Sequence, residues 1–222
     1  MKTRVCLLSL AFWLCTSGVT PARADNVSLA PVSSTPGYIA LLLVNETPFP
    51  GERGWESETD SKVAMCQVLL VLDARLRHIP PRYTQRQVAS VESDDILDLM
   101  TAKGQVEGFY RDGAGKPSTA PRVQKRFDHL LSIANQGSPG TFARLLNHAG
   151  RLADAYVRNS ATEPDLYAAL QEISGTPVTG RAYSWMTDIG TFHPGGRFVR
   201  IPDDDHGGLG GNRFFTLQRL QP

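Results

Sequence analysis

The stretch Asn45-Glu-Thr-Pro-Phe-Pro-Gly-Glu-Arg-Gly-Trp55 sets two carboxylates, Glu46 and Glu52, among prolines and glycines directly after an apolar run. A carboxyl group at the end of an apolar segment, facing a pocket lined by Phe49 and Trp55, is partly desolvated, and desolvation raises its pKa. A carboxylic acid still protonated near neutral pH can hand its proton to a leaving oxygen, which is how a general acid for glycosidic cleavage is made. Glu46 is the candidate for that role. Glu52, between Gly51 and Gly54, is placed to hydrogen-bond and orient a catalytic group. The bland alternative for Glu46 is a solvated loop charge that caps the next turn or meets Arg53 at the surface. Glu56, Glu58 and Asp60 follow closely and read as the start of a helix, where the positive end of the dipole favours acids.

Other chemistries find less support. Asp203-Asp-Asp-His206 is oxygen-rich, as calcium loops are, but the closing Glu of the calcium-loop pattern is missing. A solvated turn is expected there, and no metal. The five histidines, His78, His129, His148, His193 and His206, are scattered without the H-E-x-x-H spacing of zinc hydrolases. Ser184, in Tyr183-Ser-Trp185, lacks the G-x-S-x-G setting of a serine hydrolase. With neither a phosphate loop nor a dinucleotide fingerprint, no cofactor is expected.

The elements that must position Glu46 can be read from periodicity. Tyr38 to Val44 is an unbroken apolar run, a buried helix or a strand, since periodicity does not decide over this length. From Thr59 the apolar residues Val63, Met65, Val68, Leu69, Leu72 and Leu76 recur at helical steps, with Ser57 or Thr59 as cap and Pro80-Pro81 as stop. Cys66 falls inside this pattern as an ordinary core residue. A short helix is expected over 93–100 and a loop over 108–121. Two amphipathic helices are expected over 122–136 and 141–159, another short one over 165–173, and short strands and turns after Gly175. The reading is a mainly α, α+β fold: a helical bundle with a short β-containing or irregular C-terminal part.

Residues 1–24 begin basic, run apolar and close on Ala22-Arg23-Ala24, the pattern of a signal peptide. Phe12-Trp13-Leu14 before Cys15 lacks the small residues that precede a lipid-modified cysteine, and no segment approaches the ~20 apolar residues of a membrane span. An exported chain, periplasmic or extracellular and without a transmembrane anchor, is expected. Lys and Arg total 23 against 22 Asp and Glu, and the leader carries Lys2, Arg4 and Arg23 and no acid. What remains is close to neutral, which argues against a nucleic-acid partner. Cys6 and Cys15 leave with the leader, so Cys66 has no intrachain partner. Residues 25–37 read as a flexible leader and 38–222 as a single domain.

Taken in order, three stretches resemble the cell wall hydrolases of the SleB type, members of the lysozyme-like superfamily. Those proteins carry a glutamate in a segment like A-E-A-R-G-E ahead of a buried helix ending near an Arg. The counterpart here is Asn45–Trp55 followed by Lys62-Val-Ala-Met-Cys-Gln-Val-Leu-Leu-Val-Leu-Asp-Ala-Arg75. Their D-P-T-G-G-A stretch is matched by Thr176-Pro-Val-Thr-Gly-Arg-Ala-Tyr-Ser-Trp185, and their final I-G-x-H-x-F-Y by Gly210-Gly-Asn-Arg-Phe-Phe215. The resemblance implies a lysozyme-like domain acting on the glycan strands of peptidoglycan, with Glu46 as the catalytic acid and Glu52 supporting it. It also implies that Thr179, Tyr183, Ser184 and Asn212 hydrogen-bond sugar hydroxyls and acetamides, and that Trp55 and Trp185 stack on sugar faces. A non-catalytic module binding glycan or an envelope protein is the alternative.

Overall fold

The computed structural model describes residues 27–137, 140–160, 164–187 and 193–221. The signal-peptide reading of 1–24 lies outside them. The apolar run after Gly37 is a helix, α1 (Thr35–Glu46), capped by Ser34, whose side chain accepts from the Gly37 N–H. Every residue from Tyr38 to Val44 is buried. A helix apolar all round has no face to offer water and belongs in the centre. α1 is covered chiefly by α6 (Thr141–Val157), with α5 (Pro121–Gln136) and α2 (Glu58–Arg77) also against it.

The covering helices are amphipathic where α1 is not. α5 buries Val123, Phe127, Leu130 and Ala134 along one stripe, and α6 buries Leu145, Leu146, Ala149, Leu152 and Ala153. Their other faces carry the polar residues. α2 starts at the Ser57 cap, which accepts from the Asp60 N–H, and ends at His78 ahead of the two prolines. Two short helices follow, α3 (Gln85–Ala89) and α4 (Ile96–Thr101). α3 has a full capping box between Thr84 and Gln87, a signal present in the sequence.

Two local expectations need correction. The loop expected over 108–121 contains an antiparallel hairpin, β1 (Phe109–Arg111) with β2 (Pro117–Thr119), held to α1 by the Tyr38 hydroxyl donating to the Ser118 carbonyl at 2.7 Å. The short helix expected over 165–173 is absent: turns over 166–169 lead into β3 (Glu172–Ile173), which pairs with β4 (Thr176–Pro177). Ser174 and Gly175 take positive φ between them, a tight reversal no helix can continue through. The stretch read as a flexible leader also meets the body early, since Val27 is buried and its N–H donates to Asn135 Oδ1.

The C-terminal part is the sheet β5 (Ser184–Thr187), β8 (Asn212–Leu217), β6 (Phe198–Arg200), with β7 (Gly208–Leu209) also on β8. Its register sets Ser184 opposite Phe215, Trp185 opposite Phe214 and Thr187 opposite Asn212. The turn Gly210-Gly211 presses this sheet onto α2: a Cβ on Gly210 would lie 2.7 Å from Ala64 Cβ and 2.8 Å from the Asp60 carbonyl. Helices and small antiparallel sheets thus share one main apolar core running from Val27 to Phe214, an α+β arrangement. Among the described residues no helix is long and apolar enough to cross a membrane.

Candidate active site

Glu46 is the last residue of α1. Beyond it the chain turns sharply, and the buried Thr47 returns its hydroxyl to the Leu43 carbonyl. Phe49 drops fully into the core, and the Glu52 carboxylate accepts from the Phe49 N–H at 2.7 Å. Arg126 of α5 closes the arrangement. It meets both Glu52 oxygens, at 2.9 and 2.5 Å, and also donates to the Val44 and Thr47 carbonyls at 2.6 and 3.0 Å. One guanidinium therefore fastens the Glu52 loop to the carboxyl end of α1 and satisfies carbonyls that the helix leaves without intrahelical donors.

The Glu46 carboxyl is held from two sides. Trp185 Nε1–H donates to Oε2 at 2.9 Å, and Asn45 Nδ2–H donates to Oε1 at 3.0 Å. Its backbone carbonyl accepts from Asn212 Nδ2 at 2.8 Å. The same amide reaches the Gly210 carbonyl at 3.2 Å, so two acceptors fix which end of Asn212 faces them. Asn212 Oδ1 is buried and accepts nothing among the described residues.

Trp185 is itself buried, with the Arg75 guanidinium 5.4 Å from its ring centroid. Arg75 donates to the Tyr183 carbonyl at 2.6 Å and to Gln105 Oε1 at 2.8 Å. Burial pulls the Arg75 pKa down to about 10, which leaves it a cation at neutral pH. The indole is thus pinned by a buried charge beneath and by Glu46 at its edge.

A cleft of about 530 Å³ opens over Glu46, bordered by Thr47, Glu52, Arg53, Arg126 and Thr187. Glu46 is half-buried and lines this cleft. Burial is the main effect on its acidity and raises its pKa above the ordinary carboxylate value, against the lowering pull of the Trp185 and Asn45 donors and the Arg126 charge. Glu107 pushes the same way as burial. The position at the negative end of a helix also disfavours an ionised carboxylate. Such a group can act as an acid.

The sequence candidates separate clearly. Glu46 and Glu52 border the cleft, Glu52 tied up by Arg126, while Trp185 and Asn212 are not among the cleft residues and hold Glu46 by hydrogen bonds, so that two roles change. Trp185 is buried and grips the Glu46 carboxyl, so its ring is not open for a sugar to stack on. Asn212 is spent on backbone carbonyls. Thr179, Tyr183 and Ser184 do not border the cleft. Thr179 Oγ1 turns to the Gly180 carbonyl, Tyr183 donates its hydroxyl to the His78 carbonyl at 2.7 Å, and Ser184 is buried in β5. Trp55 is half-buried against the core and is likewise not among the cleft residues. Glu46 does not pair with Arg53.

Arg126 and Arg75 carry roles not assigned from the sequence. Arg75 had a cue: it lies one helical turn beyond Val71 on the buried face of α2. Arg126 had none, since nothing local ties a helix residue to a loop 74 positions away. Asp203–Asp205 forms a short 3-10 turn, Asp203 pairing with Arg200 at 2.8 Å, and among the described residues no cluster of His, Cys, Asp or Glu is placed to hold a metal. Comparison with known protein families, characterised proteins and solved structures finds no match for the chain.

Proposed function

We propose that the protein is an exported, lysozyme-like enzyme that cleaves the glycan strands of peptidoglycan, with Glu46 as its acid. The observation that carries this reading is a carboxyl group with its pKa raised by burial, gripped by two neutral donors and facing a cleft. A non-catalytic module would call for Glu46 exposed or paired with Arg53, and neither arrangement is present.

Glu46 protonates the oxygen bridging N-acetylmuramic acid to N-acetylglucosamine. The bond to the muramic C1 breaks with its electron pair leaving on that oxygen, and an oxocarbenium-like centre remains. The muramic C6 hydroxyl then attacks C1 and gives its proton back to the Glu46 carboxylate. An anhydro sugar forms and no water is consumed. What favours this transglycosylase route over hydrolysis is the state of the other carboxyl at the cleft. Glu52 spends both oxygens on Arg126 and the Phe49 N–H, so it is poorly placed to activate a water.

Digestion of purified sacculi, with the released muropeptides read by mass, tests the reading. Wild type is expected to release anhydro-muropeptides, and Glu46→Gln, folded to the same degree, to release none within a rate loss of about 10³ or more. Unaltered cleavage by Glu46→Gln would remove the mechanism. Hydrated reducing ends would instead indicate a water-activating base.

A further inference from the structure

Among the described residues, four titratable ones border the cleft: Glu46, Glu52, Arg53 and Arg126. Glu52 and Arg126 cancel each other as a two-point pair. Arg53 is exposed and, among the described residues, makes no hydrogen bond or ion pair. Its backbone, by contrast, is held firmly. Arg53 is inside a turn closed by the Trp55 N–H on the Glu52 carbonyl at 3.2 Å, with Glu52 clamped by Arg126 and Trp55 packed on the core. Gly54 takes φ +85°, and a Cβ there would come within 3.0 Å of Gly211 Cα, so the turn rests directly on the β7–β8 turn. A fixed backbone that presents an unspent guanidinium at a cleft mouth is built to receive an acceptor from outside, and the planar fork of Arg matches a carboxylate.

The geometry points to Arg53 as a specificity residue that binds a carboxylate carried by the glycan beside the bond to be cut, so that the cleft selects acidic over neutral strands. This deepens the glycan-cleaving reading and rests on it. The carboxylate has two sources on such a strand: the lactyl group of the sugar, once its peptide is removed, and the peptide stem itself.

The test uses Arg53→Met, which keeps most of the apolar stem and removes the charge, and Arg53→Lys, which restores a charge without the fork. Three substrates are compared: native strands, strands stripped of peptide by an amidase, and strands whose carboxyls have been converted to methylamides. Arg53→Met is expected to raise KM on native strands about tenfold with kcat nearly unchanged, the pattern of lost uniform binding. Arg53→Lys is expected to recover part of the loss, and methylamidation to bring wild type down to the Arg53→Met level. Arg53 dependence kept on stripped strands assigns the contact to the lactyl carboxylate; dependence lost there assigns it to the stem. Equal KM for wild type and Arg53→Met on native strands overturns the inference, as does an Arg53→Met deficit that survives methylamidation.

Binding of soluble native strands to Glu46→Gln, with and without Arg53→Met, separates this inference from the catalytic one. Strands bound through Arg53 by a wild type that cuts nothing would leave carboxylate recognition standing and remove the acid. Cleavage indifferent to Arg53 would do the reverse, and absence of both binding and cleavage would remove both.

Discussion

Replacing Trp185 with Phe removes the indole N–H donor from the Glu46 site and keeps an aromatic ring at the position that faces Arg75. The indole N–H donates to the Glu46 carboxyl and favours its charged form, so its loss moves the Glu46 pKa further upward. A general acid with a higher pKa stays protonated to higher pH. On the proposed glycan-cleaving reading, the falling, alkaline limb of the kcat/KM profile is therefore expected to move to higher pH, with about 1–2 kcal/mol lost from stability for the missing bond. An unmoved limb in a pH series would mean that Trp185 does not tune the acid. At this scale the sequence singled out Glu46 as an acid ending an apolar run, and the structure sets that residue at a cleft with its pKa raised. The sequence could not reveal the grip on that carboxyl. Trp185 reaches Glu46 across 139 residues, and Arg126 reaches Glu52 across 74, contacts that only the packed helices and sheet create.

Among the elements, the entry of α2 shows how a neighbouring acid differs from Glu46. Glu58 accepts from Arg144 of α6, whose Nε and Nη2 approach its oxygens at 2.9 and 2.6 Å, and from Lys62 one turn on. These donors hold its pKa down to about 2. A depressed carboxylate stabilises the fold above its unfolded value near 4.5 and loses that contribution as pH falls toward 2. Glu58→Gln is expected to unfold about 0.5–1 kcal/mol more easily at pH 7, with the deficit shrinking by pH 3 in urea titrations, since a largely solvated pair is worth no more. The proposed glycan cleavage should be unchanged, because Glu58 is not among the cleft residues. The helices α2, α5 and α6 were legible because a long stripe of apolar residues at helical spacing has one stable use. The hairpin β1–β2 and the strands β3 and β4 were not. Runs of two or three residues carry no period, and their pairing is set by turns and by partners such as Tyr38.

For the whole molecule, the site that offers chemistry is also one that weakens the fold. The Glu46 proton is held more tightly folded than unfolded, so between the ordinary carboxylate value and the raised one the native state binds the extra proton, and stability falls as pH rises through that window. Above the raised pKa the protein carries a charge on a partly desolvated group at a helix C-terminus, a cost that Arg126 of α5 partly offsets and Glu107 increases, with only neutral donors in contact. Glu46→Gln has the shape without the charge and escapes this loss. Thermal unfolding of the two proteins at pH 4, 6 and 8 is expected to start from near-equal midpoints at pH 4 and to diverge in favour of Glu46→Gln as pH rises, the difference levelling once Glu46 is ionised. A constant difference across the series would mean that Glu46 ionises as freely folded as unfolded. The carboxyl could not then be the acid for which the helix end, the indole and the clamped loop are arranged.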